Sequence, residues 1–587
     1  MILQALKEYY DRKAADPDSE IAPIGFEWKE IPYIVVIDST GKSVSLACTY
    51  EGTGKQRRAK RFLVAQTVKR TAGVAGNFLW DNPEYALGID LKGKPDRVVL
   101  RHKAFVARIK EMETIGDDGV TALLTFLDQP DKKVVIERFD EVAKQLIEEG
   151  SNVSFRLAGE MGLISDSPKV RAFIQKSASV SGTSKVCCMV TGDVDDFQET
   201  HPAIKGVWGA QTSGANIVSF NQSAFRSFGK EQAGNSPVGK QAVFAYTTAL
   251  NGLLHKDSKQ RMQVGDASTV FWAEKETDLE SHFVDIFGEA AKDNPDAGVK
   301  AVEGLFKAIN NGAYAASESQ TRFYVLGLAP NAARISVRFW IVGTAGEMAG
   351  KIASHFKDLE IDHGPKDRPY FSLFRLLVST ASSGKSENIS PNLSGDVMRA
   401  ILQGLPYPET LLHGVTRRIR AEREVTHIRA AIIKACINRK TRFNNPHEPE
   451  EIKVSLDIKN TNIGYRLGRL FATLEKIQQE ASPGINATIR DKFYGAASGS
   501  PVTVFGNLMR LKNHHLAKLE NQGRRVNLER LLGEIMDEIG DFPAHLPIGD
   551  QGRFAIGYYH QMQSFYTKKT EEQKKLNINE RIHDESD

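Results

Sequence analysis

Three carboxylates that lie close together are the residues of this chain best suited to metal-dependent hydrolysis. Asp193, Asp195 and Asp196 could hold a magnesium ion, because hard cations prefer carboxylate oxygens. A two-metal nuclease draws its carboxylates from several elements of the fold, however, and no partner motif accompanies this cluster. We interpret the cluster as a solvated turn and keep a metal-dependent nuclease as an alternative function.

Other features that resemble enzyme motifs are incomplete. The stretch from Gly52 to Lys55 resembles the end of a phosphate-binding loop, but it lacks the earlier glycine and the hydroxyl residue after the lysine. His514 and His515 are neighbours on a probable helix and therefore point in different directions. HExxH and Gly-x-Ser-x-Gly patterns are also absent from the sequence. We predict a protein that is not an enzyme, with no catalytic residue, metal site or cofactor.

The segment from Gly209 to Asn251, called the amide-rich segment below, contains many groups that form hydrogen bonds without charge. It has eight Asn or Gln and eight Ser or Thr residues but only one acid, Glu231. Amides and hydroxyls suit recognition of base edges and phosphates, and they are poor general acids or bases. This composition favours a recognition surface, although an irregular hydrogen-bonded loop would share it.

Residues 52–80 form the first of two basic regions. They contain seven Lys or Arg residues and no acid, together with Phe62, Phe78 and Trp80. Cations with interleaved aromatic rings favour a phosphate-facing surface over a merely solvated one. Asn77 is a candidate for a base contact, because an amide can donate and accept at once. The basic candidates are Lys55, Arg57, Arg58, Lys60, Arg61, Lys69 and Arg70.

The second basic region runs from Arg466 to Arg525, where ten Lys or Arg residues accompany four acids. A helical face of this sign can follow a phosphate backbone without reading sequence. Arg524 and Arg525 are our candidates for that contact. Ordinary solubilisation of surface helices is the alternative explanation.

Overall composition is that of a globular protein with several domains. The net charge of +4 is only mildly basic, so nucleic-acid binding would depend on where the positive charge lies. Four cysteines lack CxxC spacing, and we predict that they are reduced core residues. No stretch approaches the ~18 apolar residues of a membrane-spanning helix, so we predict a cytoplasmic protein with no membrane partner.

Apolar periodicity predicts an α+β fold. A strand hairpin is expected around the turn from Asp38 to Lys42, and two more strands around Pro330 and Asn331. Residues 97–109, 119–127 and 152–159 contain strand-like runs, whereas residues 138–150 have a helical pattern. Beyond residue 395 the pattern is almost purely helical, as in a helix bundle.

The same patterns divide the chain. We predict a mixed α/β region over residues 1–190, its continuation with the amide-rich segment over 191–378, a linker over 379–394, and a helical bundle over 395–587. The linker prediction rests on the small and polar residues of STASSGKSENISPNLSG.

Several long strings of this sequence resemble one family. GAQTSGANIVSFNQSAFRSFGKEQ, RTAGVAGNFLWDNPEYALG and FYVLGLAPNAARISVRFW are similar to the large subunit of the subtype I-C CRISPR Cascade complex. ATIRDKFYGAASGSPVTVFGNLMRLKNHHLAKLE, near the other end, is similar to the same family. The likeness covers nearly the whole chain and uses long, unusual strings.

The resemblance implies a non-catalytic subunit of an RNA-guided surveillance complex. Residues 1–190 would recognise the protospacer-adjacent motif in double-stranded DNA, and the protein would help to open the duplex and support the R-loop. It implies several partners: the crRNA, the repeated backbone subunits, the subunit that holds the crRNA handle, and a separately recruited helicase-nuclease. A scaffold that binds only protein and crRNA is a further alternative. We expect these residues near the motif duplex: Lys69, Arg70, Asn77, Gln211, Thr212, Ser213, Asn216 and Asn221.

The family also makes its C-terminal helical region separately, as a small subunit translated from an internal start. In this chain the corresponding bundle would cover residues 462–587. No Met lies between Met398 and Met509, so the start would need a non-AUG codon. Candidate positions are Val454, Leu456 and Leu467. A rival role for the amide-rich segment is docking to the handle-holding subunit.

Overall fold

The computed structural model divides the chain into two compact units. The first contains Met1–Ile204 and Val218–Gly252, and the second contains Lys205–Ile217 and Leu253–Asp587. The chain therefore contributes a short segment to the second unit, returns to the first, and then completes the second. The structure describes residues 1–54, 57–68, 70, 73–130, 132–178, 185–220, 222–289, 294–312, 320–447, 451–537 and 539–566.

The first unit combines helices with a four-stranded sheet and three two-stranded ribbons. The sheet has the order β3-β2-β8-β7, with β2 and β8 parallel, and the ribbons are β1-β6, β4-β5 and β9-β10. The helices are α1 (Ile2–Ala14), α2 (Pro83–Ala86), α3 (Pro95–Lys110), α4 (Asp118–Leu127), α5 (Lys132–Glu137), α6 (Asp140–Glu149), α7 (Pro168–Ala178) and α8 (Lys240–Leu253, its last residue in the second unit). The strands are β1 (Phe26–Glu30), β2 (Tyr33–Ile37), β3 (Ser43–Cys48), β4 (Tyr50–Glu51), β5 (Arg58–Ala59), β6 (Arg61–Ala65), β7 (Trp80–Asp81), β8 (Val153–Leu157), β9 (Lys185–Cys187) and β10 (Val194–Asp196).

The second unit is an antiparallel sheet followed by helices. Its sheet is a meander of β11 (Arg261–Val264), β12 (Ala267–Ala273), β13 (Arg322–Asn331) and β14 (Arg334–Thr344). Its helices are α9 (Asp278–Phe287), α10 (Ala297–Asn310), α11 (Ala345–Leu359), α12 (Leu373–Val378), α13 (Leu393–Gln403), α14 (Glu409–Glu422), α15 (His427–Asn444), α16 (Ile463–Ala481), α17 (Ile489–Gly499), α18 (Phe505–Ala517), α19 (Gln522–Met536) and α20 (Ile548–Tyr566).

This architecture confirms the predicted α+β class. Both predicted hairpins form, as β2-β3 and β13-β14. Two strand-like runs were predicted wrongly, because residues 97–109 and 119–127 lie in α3 and α4. In α3 the buried residues are Val98, Phe105 and Ile109, which recur at helical spacing, so tertiary burial outweighs the β-branched pair at its start.

Residues 379–394 lie inside the second unit. They contain two short 3-10 turns, Ser382–Gly384 and Ser386–Asn388. Apolar contacts continue from the sheet residues Phe271 and Phe323 to the bundle residues Leu470 and Phe554 as one core. A single core therefore supports both the sheet and the bundle. The domain boundaries that we inferred from composition remain a prediction.

The close crossing of α16 and α20 depends on glycine. A Cβ atom on Gly468 would lie 2.0 Å from the carbonyl oxygen of Phe554, and one on Gly557 would lie 2.0 Å from that of Tyr465. No side chain fits at such distances, so the two backbones can approach only where both residues are glycine.

The cysteine prediction holds only in part. All four thiols are free, but Cys48 and Cys187 are exposed, whereas Cys188 and Cys436 are buried. Within the ranges that the structure describes, no helix is both long enough and apolar enough to cross a membrane.

Candidate nucleic-acid interface

Two ribbons of the first unit display four of the seven basic residues of the 52–80 region. Arg57, Arg58, Lys60 and Arg61 are exposed on or beside β5 and β6. Lys55 and Lys69 lie outside the described residues. Because the ribbons fix the backbone through strand pairing, four neighbouring cations reach solvent from a defined surface.

Aromatic rings lie beneath three of these cations. The guanidinium carbon of Arg57 is 3.7 Å from the ring centre of Tyr50, and that of Arg61 is 5.8 Å from the ring centre of Trp28. The Lys60 ammonium is 5.8 Å from the ring centre of Phe62. Such cation–π contacts hold long side chains in place while leaving their charge available to an anion.

Arg57 is also paired with a carboxylate. Its Nη1 donates to Oε1 of Glu149 at 2.7 Å, and this hydrogen bond raises the pKa of the Arg57 side chain. Burial acts to raise the pKa of Glu149, but hydrogen bonds from Arg57, Tyr33 and Tyr50 outweigh it and the net change is downward. Arg57 is therefore less available to a phosphate than its exposure suggests.

Arg70 and Asn77 belong to a hydrogen-bonded loop centred on Asp81, which is 2% exposed. Arg70 pairs with the Asp81 carboxylate, its Nε donates to the carbonyl oxygen of Ala75 at 2.7 Å, and its guanidinium lies over Tyr85. Burial raises the pKa of Asp81, although the charge of Arg70 opposes the change.

Asn77 is an interior residue of that loop. It is 2% exposed, and its side-chain oxygen accepts a hydrogen bond from the Val68 backbone N–H at 2.9 Å. Its backbone N–H donates to Asp81 at 3.1 Å. In this conformation Asn77 shapes the loop and presents no edge to a base.

The amide-rich segment is split between the two units. Its first part, up to Ile217, belongs to the second unit, and Val218 to Asn251 belongs to the first. Many of its polar side chains serve the fold. Asn235, for example, donates to two backbone carbonyls, and the Thr247 hydroxyl donates to Val243 inside α8.

Gln211, Thr212 and Ser213 form an exposed turn within that segment. The Gly214 N–H closes the turn by donating to the Gln211 carbonyl at 2.9 Å. Within the described ranges, the side chains of these three residues form no hydrogen bond or ion pair. The backbone of Asn216 bridges to β14, since the Ile335 N–H donates to its carbonyl at 3.0 Å. Asn221 lies outside the described residues.

The bundle is less basic at its surface than its composition suggests. Arg466 and Arg469 are each 3% exposed, and burial lowers the pKa of Arg469. Arg524 forms a two-point ion pair with Glu480, at 2.7 and 2.9 Å. Arg525 Nε lies 3.3 Å from Oε1 of Glu529.

Sequence reasoning did not select α18, a helix of the bundle with a basic and polar face. Asn507, Arg510, Asn513 and His514 are exposed along one side of this helix, and Lys518 follows its end. The helix contains no acid, and its opposite side buries Phe505, Leu508 and Leu516. The sequence signal for this face is the spacing of Asn507, Arg510 and His514, which are polar or basic residues three and four positions apart.

One member of the acidic cluster, Asp195, has a structural role. Asp195 Oδ2 accepts the Gln241 N–H at 2.9 Å, at the start of α8, and its Oδ1 accepts the Asp196 N–H at 2.7 Å. Among the side chains that the structure describes, no group of three or more His, Cys, Asp or Glu is arranged to hold a metal ion.

Comparison with known families identifies the chain. The family profile described as CRISPR-associated protein (Cas_Csd1) matches residues 6–566. The protein is therefore of the class that forms CRISPR Cascade complexes with crRNA and other Cas subunits. Within that class the chain belongs to the Cas_Csd1 family, which confirms its resemblance to the type I-C Cascade large subunit. No match is found among curated proteins.

Proposed function

We propose that this chain is the non-catalytic large subunit of a type I-C interference complex in the cytoplasm. It recognises the protospacer-adjacent motif in double-stranded DNA, helps to open the duplex and stabilises the R-loop. Pairing with the crRNA reads the rest of the target, and a separate helicase-nuclease is then recruited.

One observation carries this proposal: Gln211, Thr212 and Ser213 form an exposed turn, and their side chains form no hydrogen bond or ion pair within the described ranges. Amides and hydroxyls on a fixed backbone can donate to and accept from base edges, and we place these contacts on the minor-groove side. The turn is fixed on both sides. The Trp208 N–H donates to the Ser268 hydroxyl at 2.9 Å, and Asn216 bridges to β14.

Phosphate contacts would come from the ribbons of the first unit. Arg58, Lys60 and Arg61 are exposed, and we propose Lys55 and Lys69 as further contacts. Phosphate contacts fix the register of a protein on DNA, whereas contacts to base edges supply specificity. In this division of roles Arg70 and Asn77 position the loop beside the ribbons.

The bundle would support the displaced strand and the R-loop. We further propose that a product containing residues 462–587 is also made as a separate small subunit, as the family resemblance implies. The other proposed partners are the backbone subunits, the subunit that holds the crRNA handle, and the helicase-nuclease.

The base-reading role can be tested by replacing Gln211 and Thr212 with Ala in the assembled complex. Binding to targets with and without the motif is measured at one fixed salt concentration. We expect the preference for the motif to fall about tenfold, because a good base contact contributes ~1–3 kcal/mol of discrimination. Gln403→Ala, at an exposed amide at the end of α13, is the matched control and should change nothing.

Two results would contradict this role. Equal loss of affinity for both targets would show that the turn does not read the motif. A complex that no longer assembles would assign the turn to docking with a neighbouring subunit.

A further inference from the structure

A second feature of the amide-rich segment is a turn that carries an exposed aromatic ring. The turn covers Ser227 to Lys230, and the Lys230 N–H donates to the Ser227 carbonyl at 3.1 Å. Phe228 lies at its tip and is 95% exposed. This ring is therefore almost completely in contact with solvent.

The backbone of Phe228 is strained. Its φ is +56°, and the following Gly229 has φ +68°. Turns with two positive φ values normally use Asn, Asp or Gly at the first central position, because a bulky side chain is disfavoured there. Strain of this kind persists only where the surrounding structure enforces it, and it is concentrated at functional sites.

The base of the turn is held firmly. Asn235 Nδ2 donates to the carbonyl oxygens of Phe225 and Ser227, at 3.0 and 3.1 Å. The Phe225 ring packs edge-on against Phe220, with ring centres 6.1 Å apart. Anchoring at both sides keeps the tip in place, so Phe228 projects from a fixed support.

The surroundings of Phe228 are polar and mainly cationic. Arg226 and Lys230 are exposed on either side of it, and Glu231 lies 3.4 Å from Arg226. The other exposed residues from Gln222 to Lys230 are small or polar. A single aromatic ring among cations is unlike a protein-docking patch, where apolar neighbours surround the anchor residue.

We propose that Phe228 is a stacking residue for a nucleobase of the target DNA beside the motif. The ring would insert against a base step and take the place of its stacking partner, while Lys230 contacts a flanking phosphate and Arg226 stays paired with Glu231. Nucleic acid supplies both a flat apolar surface and negative charge, which are the two properties that this tip complements. This inference rests on the proposed function and names the residue that assists duplex opening.

The test uses the assembled complex and a motif-containing DNA target with 2-aminopurine beside the motif, since this base fluoresces when it is unstacked. Phe228→Ala is compared with Phe228→Tyr, which retains a ring. Met161→Ala is the matched control, because Met161 is 93% exposed on another loop of the same unit. Each variant is also measured on a target already opened by mismatches at the same position.

We expect Phe228→Ala to slow opening of the paired target about tenfold and to leave binding of the opened target nearly unchanged. Phe228→Tyr should open the paired target at close to the wild-type rate, and Met161→Ala should match the wild type. Phe228→Gly should also lose opening, while its thermal unfolding temperature stays equal or rises, because glycine adopts φ +56° without strain.

Three results would overturn the inference. Opening by Phe228→Ala at the wild-type rate would exclude stacking, and equal losses on paired and opened targets would indicate general DNA binding. Loss of a subunit from the complex would assign the tip to protein docking. Failure of the proposed function would give a different result: the wild-type complex itself would bind targets with and without the motif equally well.

Discussion

Individual charged residues in this protein divide into those that stabilise the fold and those that face solvent. Arg466, Arg469 and Asp81 are almost fully buried, and Arg524 is paired with Glu480. An ion pair or a buried charge satisfied by hydrogen bonds has little affinity left for a phosphate. The number of basic residues in a segment therefore overstates its capacity to bind nucleic acid.

Buried histidines make the stability of the protein sensitive to acid. His560 is 1% exposed on α20, and its Nδ1 lies 3.0 Å from the Tyr465 hydroxyl. Burial lowers the pKa of His560 to about 4, with Asp362 and Asp457 acting to raise it and Lys434 to lower it. The folded protein therefore binds this proton less readily than the unfolded chain does.

Because the folded pKa lies below the unfolded value of about 6.5, the contribution of His560 is fully present above pH 6.5 and is lost as pH falls toward 4. Relative to His560→Gln, the wild type should lose about 2 kcal/mol of unfolding free energy between pH 7 and pH 5. Urea denaturation at each pH measures this difference. Replacing the exposed His545 with Gln is the control, and a pH-independent difference between wild type and His560→Gln would contradict the prediction.

At the scale of the secondary-structure elements, α18 exposes a face of basic and polar side chains that suits a phosphate backbone. Arg510, His514 and Lys518 lie on or just beyond its solvent side with two asparagines, and no acid interrupts the helix. Arg524 and Arg525 were predicted for this role from sequence, but both have carboxylate partners on their own unit. Because Arg524 and Arg525 are paired, we expect Arg510 and Lys518 to contact the phosphate backbone instead.

Replacing both Arg510 and Lys518 with Gln should weaken target binding and reduce its salt dependence. Removing one phosphate contact lowers the slope of log K against log salt by ~0.9, so the slope of the double variant should fall by about two units. Measuring DNA binding by the complex from low to high salt gives this slope.

Arg524→Gln is the control for the α18 prediction. It should leave the slope unchanged and lower the free energy of unfolding by up to about 1 kcal/mol, since the ion pair with Glu480 is partly exposed. If the slope falls with Arg524→Gln but not with the α18 variant, the phosphate is bound by Arg524.

At the level of the whole molecule, the continuous core of the second unit limits where a separate small subunit can begin. The Asn462 side chain caps α16 by accepting the Tyr465 N–H at 3.1 Å and donates to Asp550 at 3.1 Å. The Tyr465 hydroxyl accepts the Asp457 N–H at 3.0 Å. Leu467 is fully buried in the second turn of α16, so a start at that residue would remove all three hydrogen bonds.

We therefore expect a separate product to start at Val454 or Leu456. A fragment of residues 456–587 should be at least about 3 kcal/mol more stable than one of residues 467–587, which lacks the cap and the buried Tyr465 ring. Thermal unfolding followed by circular dichroism compares the two, with Asn462→Ala in the longer fragment as a control for the cap alone. Mass spectrometry of the purified complex that finds a product beginning at Leu467 would refute the expectation.

The sequence by itself determined the fold class, the two hairpins, most helices beyond residue 395 and the family. Each of these depends on local periodicity, turn residues or long strings such as GAQTSGANIVSFNQSAFRSFGKEQ, all of which are readable along the chain. The helical identity of residues 97–109 was missed, because a short apolar run has the same appearance in a strand and in a buried helix.

Only the tertiary structure decided which polar and charged side chains remain available. It placed Asn77 and Arg469 inside the protein, paired Arg524 with Glu480, and left Gln211 and Phe228 exposed. It also divided the amide-rich segment between two units. Burial and pairing depend on residues that are distant in sequence, such as Glu480 for Arg524, so local composition cannot reveal them.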